Sequence, residues 1–97
     1  MANTSNQGND STTYLTNNAT TVIKAKAGYL GKLVITNVGT TATVTIYDNA
    51  SAASGSILWA WVSADGKVSI DLKAKCSNGI TIIVNSGGTV AGYVTFS

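Results

Sequence analysis

The sequence predicts an all-β domain: an antiparallel β-sandwich or jelly roll of about seven to eight short strands behind an extended N-terminal arm. Three observations carry this expectation. From Ala19 onward apolar residues recur with a period of two rather than 3.6. β-Branched residues dominate those runs, and clusters of Asn, Gly, Ser and Asp interrupt them roughly every eight to twelve residues. No stretch carries a helical pattern.

Residues 1 to 18 are Asn, Ser, Thr, Gln and Gly with little but Tyr14 and Leu15 between them, and they read as a flexible polar arm. Such a segment buries too little apolar surface to offset its ordering entropy unless a neighbouring surface receives it. Tyr14 and Leu15 are then its anchor. Residues 19 to 97 form the single β-sandwich domain. Thr20 to Lys26 gives its first strand, ended by Gly28. Tyr29 to Thr36 gives the next, with Leu33 and Ile35 on one face and Leu30 and Val34 on the other. Asn37-Val38-Gly39-Thr40 turns the chain, because Asn and Gly tolerate the positive φ of a tight hairpin.

Thr41 to Tyr47 alternates, with Ala42, Val44 and Ile46 toward a core and Thr41, Thr43, Thr45 and Tyr47 away from it. The small residues 48 to 55 make the longest internal loop. Ile57 to Val62 is apolar on both faces, with Ile57, Trp59 and Trp61 on one and Leu58, Ala60 and Val62 on the other. Ser63-Ala64-Asp65-Gly66 is a hairpin signal. Lys67 to Leu72 alternates Val68, Ile70 and Leu72 inward with Lys67, Ser69 and Asp71 outward. Beyond Asn78-Gly79, Ile80, Ile82 and Val84 define a sixth strand, Asn85-Ser86-Gly87-Gly88 turns the chain, and Val90, Val94 and Phe96 define a seventh.

The 97 residues allow one domain with a modest core. Only 10% are charged, against about a quarter in an ordinary soluble domain, so the polarity comes from Thr, Ser and Asn. The charged residues are six lysines and four aspartates, a net charge of +2, with no Arg, His or Glu. Without His or Glu the usual general bases are missing, and the four carboxylates, Asp10, Asp48, Asp65 and Asp71, suit turns and solvated faces better than an acid–base pair. A non-enzymatic protein is expected. One cysteine and no histidine leave no zinc site, and Asp48 with Asn49 reads as a turn initiator rather than a calcium loop. No cofactor is expected. Cys76 lacks a disulfide partner or an activating neighbour and reads as a small hydrophobe.

The first residues show neither a basic nor an apolar signal region, and the longest apolar run falls short of the roughly 18 residues of a membrane span, so a soluble cytoplasmic product is expected. Lysines without arginine, and not interleaved with aromatics, speak against nucleic acid and for solvated faces or contact with acidic protein surface. The binding candidates are therefore the anchor pair Tyr14 and Leu15, the lysines Lys24 and Lys26, and the aromatics Tyr47, Trp59 and Trp61. The aromatics suit an interface or core, or alternatively a platform that stacks on a glycan. Apolarity on both faces of residues 57 to 62 points to packing against another subunit.

Several segments resemble small structural proteins encoded in the virion gene clusters of tailed bacteriophages. They are Gly28-Tyr29-Leu30-Gly31-Lys32-Leu33-Val34-Ile35-Thr36-Asn37, Thr43-Val44-Thr45-Ile46-Tyr47-Asp48-Asn49-Ala50-Ser51, Gly55-Ser56-Ile57, and Asn78-Gly79-Ile80-Thr81-Ile82. The resemblance covers about residues 20 to 97, and its most particular parts are Tyr-Asp-Asn-Ala-Ser and Asn-Gly-Ile-Thr. It implies a β-sandwich virion component made in the host cytoplasm, without enzymatic activity. The expected role is a capsid decoration (cement) protein that binds a major capsid or other virion protein. The alternative is a receptor- or glycan-binding module of a head or tail fibre. A homo-oligomer is expected, a trimer first, since decoration proteins occupy threefold positions; no membrane or nucleic-acid partner is implied.

Overall fold

The computed structural model describes residues 11 to 39, 41 to 86 and 88 to 97. The expected arm up to Asp10, together with Thr40 and Gly87 of the expected turns, lies outside the described residues. Eight strands follow one another: β1 (Ser11–Tyr14), β2 (Ala19–Lys24), β3 (Gly28–Asn37), β4 (Thr43–Tyr47), β5 (Ile57–Val62), β6 (Val68–Cys76), β7 (Ile80–Asn85) and β8 (Ala91–Phe96). The sole helical element among the described residues is a 3-10 turn at Ser63–Asp65.

The strands form two four-stranded antiparallel sheets, β1-β8-β3-β6 and β2-β7-β4-β5. The pairs β1·β8, β2·β7, β3·β6 and β4·β5 are those of one long hairpin with its tip between β4 and β5. Rolling that hairpin up also brings β8 against β3 and β7 against β4. This is the jelly-roll arrangement of an antiparallel sandwich. Leu30, Leu33, Ile35, Cys76 and Val94 of the first sheet meet Val44, Ile46, Trp61, Ile80, Ile82 and Val84 of the second in one buried cluster.

The winding corrects the local reading of the turns. Among the described residues only β4 and β5 are consecutive strands that pair with each other. Gly39 and Gly66, in two of the segments with hairpin residues, do adopt positive φ, but β3 and β4, like β5 and β6, belong to different sheets. Asn side chains hold such crossings together. Asn17 donates from Nδ2 to Val90 O at 2.9 Å and accepts from Val90 N at 2.6 Å, as a neighbouring strand would. Asn18 Oδ1 accepts from Ser86 N, and Asn37 Nδ2 donates to Thr89 O.

Bulges interrupt several strands, and in β3 and β5 they shift the expected phase. In β3 the expected opposition of Leu30 to Leu33 is absent, and Leu30, Leu33 and Ile35 are all buried. The residues Gly31 and Lys32 stand opposite Thr95 alone, whose Oγ1 accepts from Lys32 N at 2.8 Å, and the extra residue shifts the alternation by one. In β6 the strand runs on to Cys76 because Lys73, at φ +48°, takes up an extra residue opposite Gly31. In β5, Trp59 faces Ile46 but Ile57 faces Tyr47, so Leu58 is the extra residue and Ile57 leaves the side of the two tryptophans.

Candidate functional site

Strand pairing fixes what the outer face of the β2-β7-β4-β5 sheet displays. Residues directly opposed across antiparallel strands share a face. One row across the sheet is Thr20, Ile83, Thr45 and Ala60; the next is Val22, Thr81, Tyr47 and Ile57, with Thr81 buried; Asn85, Thr43 and Val62 begin a third. None of these residues is charged. Val22, Ile57 and Val62 are 42%, 58% and 45% exposed, and Tyr14 is the only other large hydrophobic residue so exposed among those described.

The outer face of the β1-β8-β3-β6 sheet differs. Lys32 stands in register with Asp71 and Tyr29 with Lys75, while Tyr14, Tyr93, Val34 and Ser69 make a further row. The sandwich thus has one face that carries charged residues and one uncharged face. Removing uncharged side chains from water costs far less than removing charged ones. The second face is therefore the cheaper one to bury against a protein.

One end of the uncharged face is closed by an ordered loop. Asp48 follows β4, and its carboxylate accepts from the backbone N–H groups of Asn78 (2.8 Å), Ser77 (3.2 Å) and Gly79 (3.3 Å). The Asn78 N–H, aided by those of Gly79 and Ser77 and opposed by partial desolvation, holds the Asp48 carboxyl below its ordinary pKa. Asn49 Oδ1 accepts from the N–H groups of Ser51 and Ala52, Asn49 Nδ2 donates to Ser54 O, and Asn49 O accepts from the buried Thr81 hydroxyl at 2.8 Å. Gly79 lies so close that a Cβ there would come within 2.5 Å of Lys24 O and 2.8 Å of Ala50 Cα. Tyr-Asp-Asn-Ala-Ser and Asn-Gly-Ile-Thr, far apart in the chain, are thus a single hydrogen-bonded unit. No group of three or more metal-ligating side chains occurs among the described residues.

The candidate residues do not gather into one site. Tyr14 is 74% exposed at the end of β1, edge-on to Tyr93 with ring centroids 6.2 Å apart, and Leu15 packs against the core while its N–H donates to Gly92 O. The surface that receives the Ser11–Tyr14 part of the polar segment is β8 of the same chain. Trp61 is 1% exposed and its Nε1 donates to Gly66 O at 2.9 Å; Trp59 lies on the same inward side against the core. Tyr47 points to the opposite, outer face, so the three rings do not share a platform. Lys24 ends β2 with its methylenes over Gly28, and Lys26 is exposed in the connection to β3. Cys76 is buried in the core, and that burial, reinforced by the Asp48 charge, pushes its thiol pKa up. Sequence reasoning missed Ala60 and Val22 as surface residues, although the alternation of residues 19 to 24 and 57 to 62 carried that signal once the core side was known.

Searches of protein-family models, of curated proteins and of solved structures find no match to the chain.

Proposed function

We propose that the protein is a non-enzymatic structural component of a tailed-phage virion, a capsid decoration (cement) protein that binds the assembled particle as a homo-oligomer and prolongs its lifetime. The observation that carries this reading is the uncharged outer face of the β2-β7-β4-β5 sheet, which holds three of the four exposed large hydrophobic residues found among the described residues. Exposed hydrophobic side chains on a face without charges suit a protein contact. The carboxylates also support it, since Asp48 and Asp65 are both occupied with backbone N–H groups. A subunit that binds only the assembled particle stabilises it by mass action, and its buried area sets how long it stays.

The test is composition and stability of virions purified from the phage whose genome carries the coding sequence. The chain is expected in those particles in many copies. Particles stripped of it should release DNA at lower temperature and regain resistance when it is added back. Virions that lack the chain, or whose heat resistance is indifferent to it, overturn the proposal.

A further inference from the structure

A jelly roll has four open sheet edges, and three of these are blunted. The described part of β1 is four residues long. β2 carries a bulge at Ile23 and ends on Lys24. β6 carries Lys73 in a bulge at positive φ, with Lys67 just before the strand and Lys75 within it. Short length, bulges and lysines are the devices that stop an edge from pairing with another chain. β5, the fourth edge, is Ile-Leu-Trp-Ala-Trp-Val, with no charge and no proline, and its bulge lies toward its beginning at Leu58.

The free side of β5 has a definite backbone pattern. Ser63 N donates inward to Ala42 O, so the alternation of an antiparallel ladder turns Trp61 and Trp59 toward β4 and Val62 and Ala60 away from it. The Val62 N–H is occupied by the Asp65 carboxylate at 3.2 Å, which closes that end of the edge. Among the described residues, what stays open is centred on Ala60, a small and exposed residue. Open N–H and C=O groups on one strand specify an extended strand as the occupant.

We propose that this occupant is β5 of a second copy, paired antiparallel about a two-fold axis at Ala60. The inference deepens the assembly reading above and rests on it only for its biological purpose. Self-pairing here meets no charge within either strand; at each end of the pair Val62 faces Leu58 of the other copy, so pairing requires the Asp65 carboxylate to release the Val62 N–H that it holds in the single chain. The axis opposes Ala60 to Ala60 and sets the exposed Val62 of each copy beside the exposed Ile57 of the other on the outer face. Two uncharged four-stranded faces become one continuous eight-stranded face for a particle to receive. The unit of assembly is then an isologous dimer, in place of the trimer that the resemblance implies.

Sedimentation equilibrium of the full chain should give a mass twice 9.9 kDa, and Ala60→Lys should weaken dimerisation at least about tenfold while leaving far-UV circular dichroism unchanged. Ala60→Cys should oxidise to a disulfide-linked dimer, since opposed residues of an antiparallel pair lie within disulfide reach. Ser69→Cys, exposed on the other sheet, should not, and the native Cys76 is buried. A wild-type chain that stays monomeric at millimolar concentration, or a dimer untouched by Ala60→Lys and uncrosslinked by Ala60→Cys, overturns the inference. Particle binding is read separately. A monomeric Ala60→Lys protein that still coats particles leaves the decoration reading standing, whereas a β5-linked dimer that coats none leaves the pairing standing and removes the decoration role.

Discussion

Asp48 shows how a residue that looks catalytic by inventory becomes structural by position. Its carboxylate gathers three successive N–H groups at the turn between β6 and β7. Because its folded pKa lies below the unfolded one, its contribution is complete above about pH 4 and is lost as pH falls through the folded value. Asp48→Ala should lower stability at pH 7 by on the order of 1 kcal/mol, a figure that allows for solvent screening. In urea melts the gap between wild type and variant should close below pH 4; a gap independent of pH would refute the clamp. Gly92 makes a different demand. It stands in register with Ile35, and a Cβ there would collide with the Val34 carbonyl oxygen. Gly92→Ala should cost about 2 kcal/mol, roughly 8–16 °C in Tm, and an unchanged Tm would show that β3 and β8 can separate without penalty.

At the level of the strand, legibility depended on how many faces were apolar. Residues 43 to 47 and 68 to 72 alternate cleanly, and the structure buries Val44 and Ile46 and turns Val68, Ile70 and Leu72 inward as expected. Residues 57 to 62 left the inward face open, because alternation orients a strand only when one side is polar. The bulges at Leu58, Gly31 and Lys73 were invisible for a related reason. They depend on the partner strand's count of residues, and a single segment carries no record of it. Trp61 is where β5 is now defined. Its ring is buried among both sheets and its Nε1–H ties down Gly66 O in the crossing to β6. Trp61→Ala should cost about 3–5 kcal/mol, and Trp61→Phe less, since it keeps most of the volume and loses chiefly the hydrogen bond. Chemical melts of both variants decide this; equal losses would mean the hydrogen bond rather than the packing fixes the strand.

For the whole molecule, class was legible and winding was not. Period-two runs and turn spacing sufficed for an antiparallel sandwich, yet the turn residues favoured local hairpins, and only contacts between distant segments make a rolled hairpin. The site divides in the same way. The uncharged side chains could be read from composition, but their collection on one face needed the pairings β2·β7, β7·β4 and β4·β5. The same winding governs folding. β1 must find β8, β2 must find β7 and β3 must find β6, so most loop-closure entropy is spent before distant pairs form. Folding should therefore occupy roughly the millisecond-to-second range of sandwiches with non-local pairing. The chain has no proline, so the slow phase of tens of seconds that X–Pro isomerisation imposes has no source. Stopped-flow refolding from urea, followed by Trp59 and Trp61 fluorescence, should complete in one phase within that window and be indifferent to a prolyl isomerase. At micromolar concentrations a second, slower phase is expected only where it scales with protein concentration, as edge pairing at β5 requires. A slow phase independent of concentration would instead place the barrier within the single chain, in the rolling of the hairpin itself.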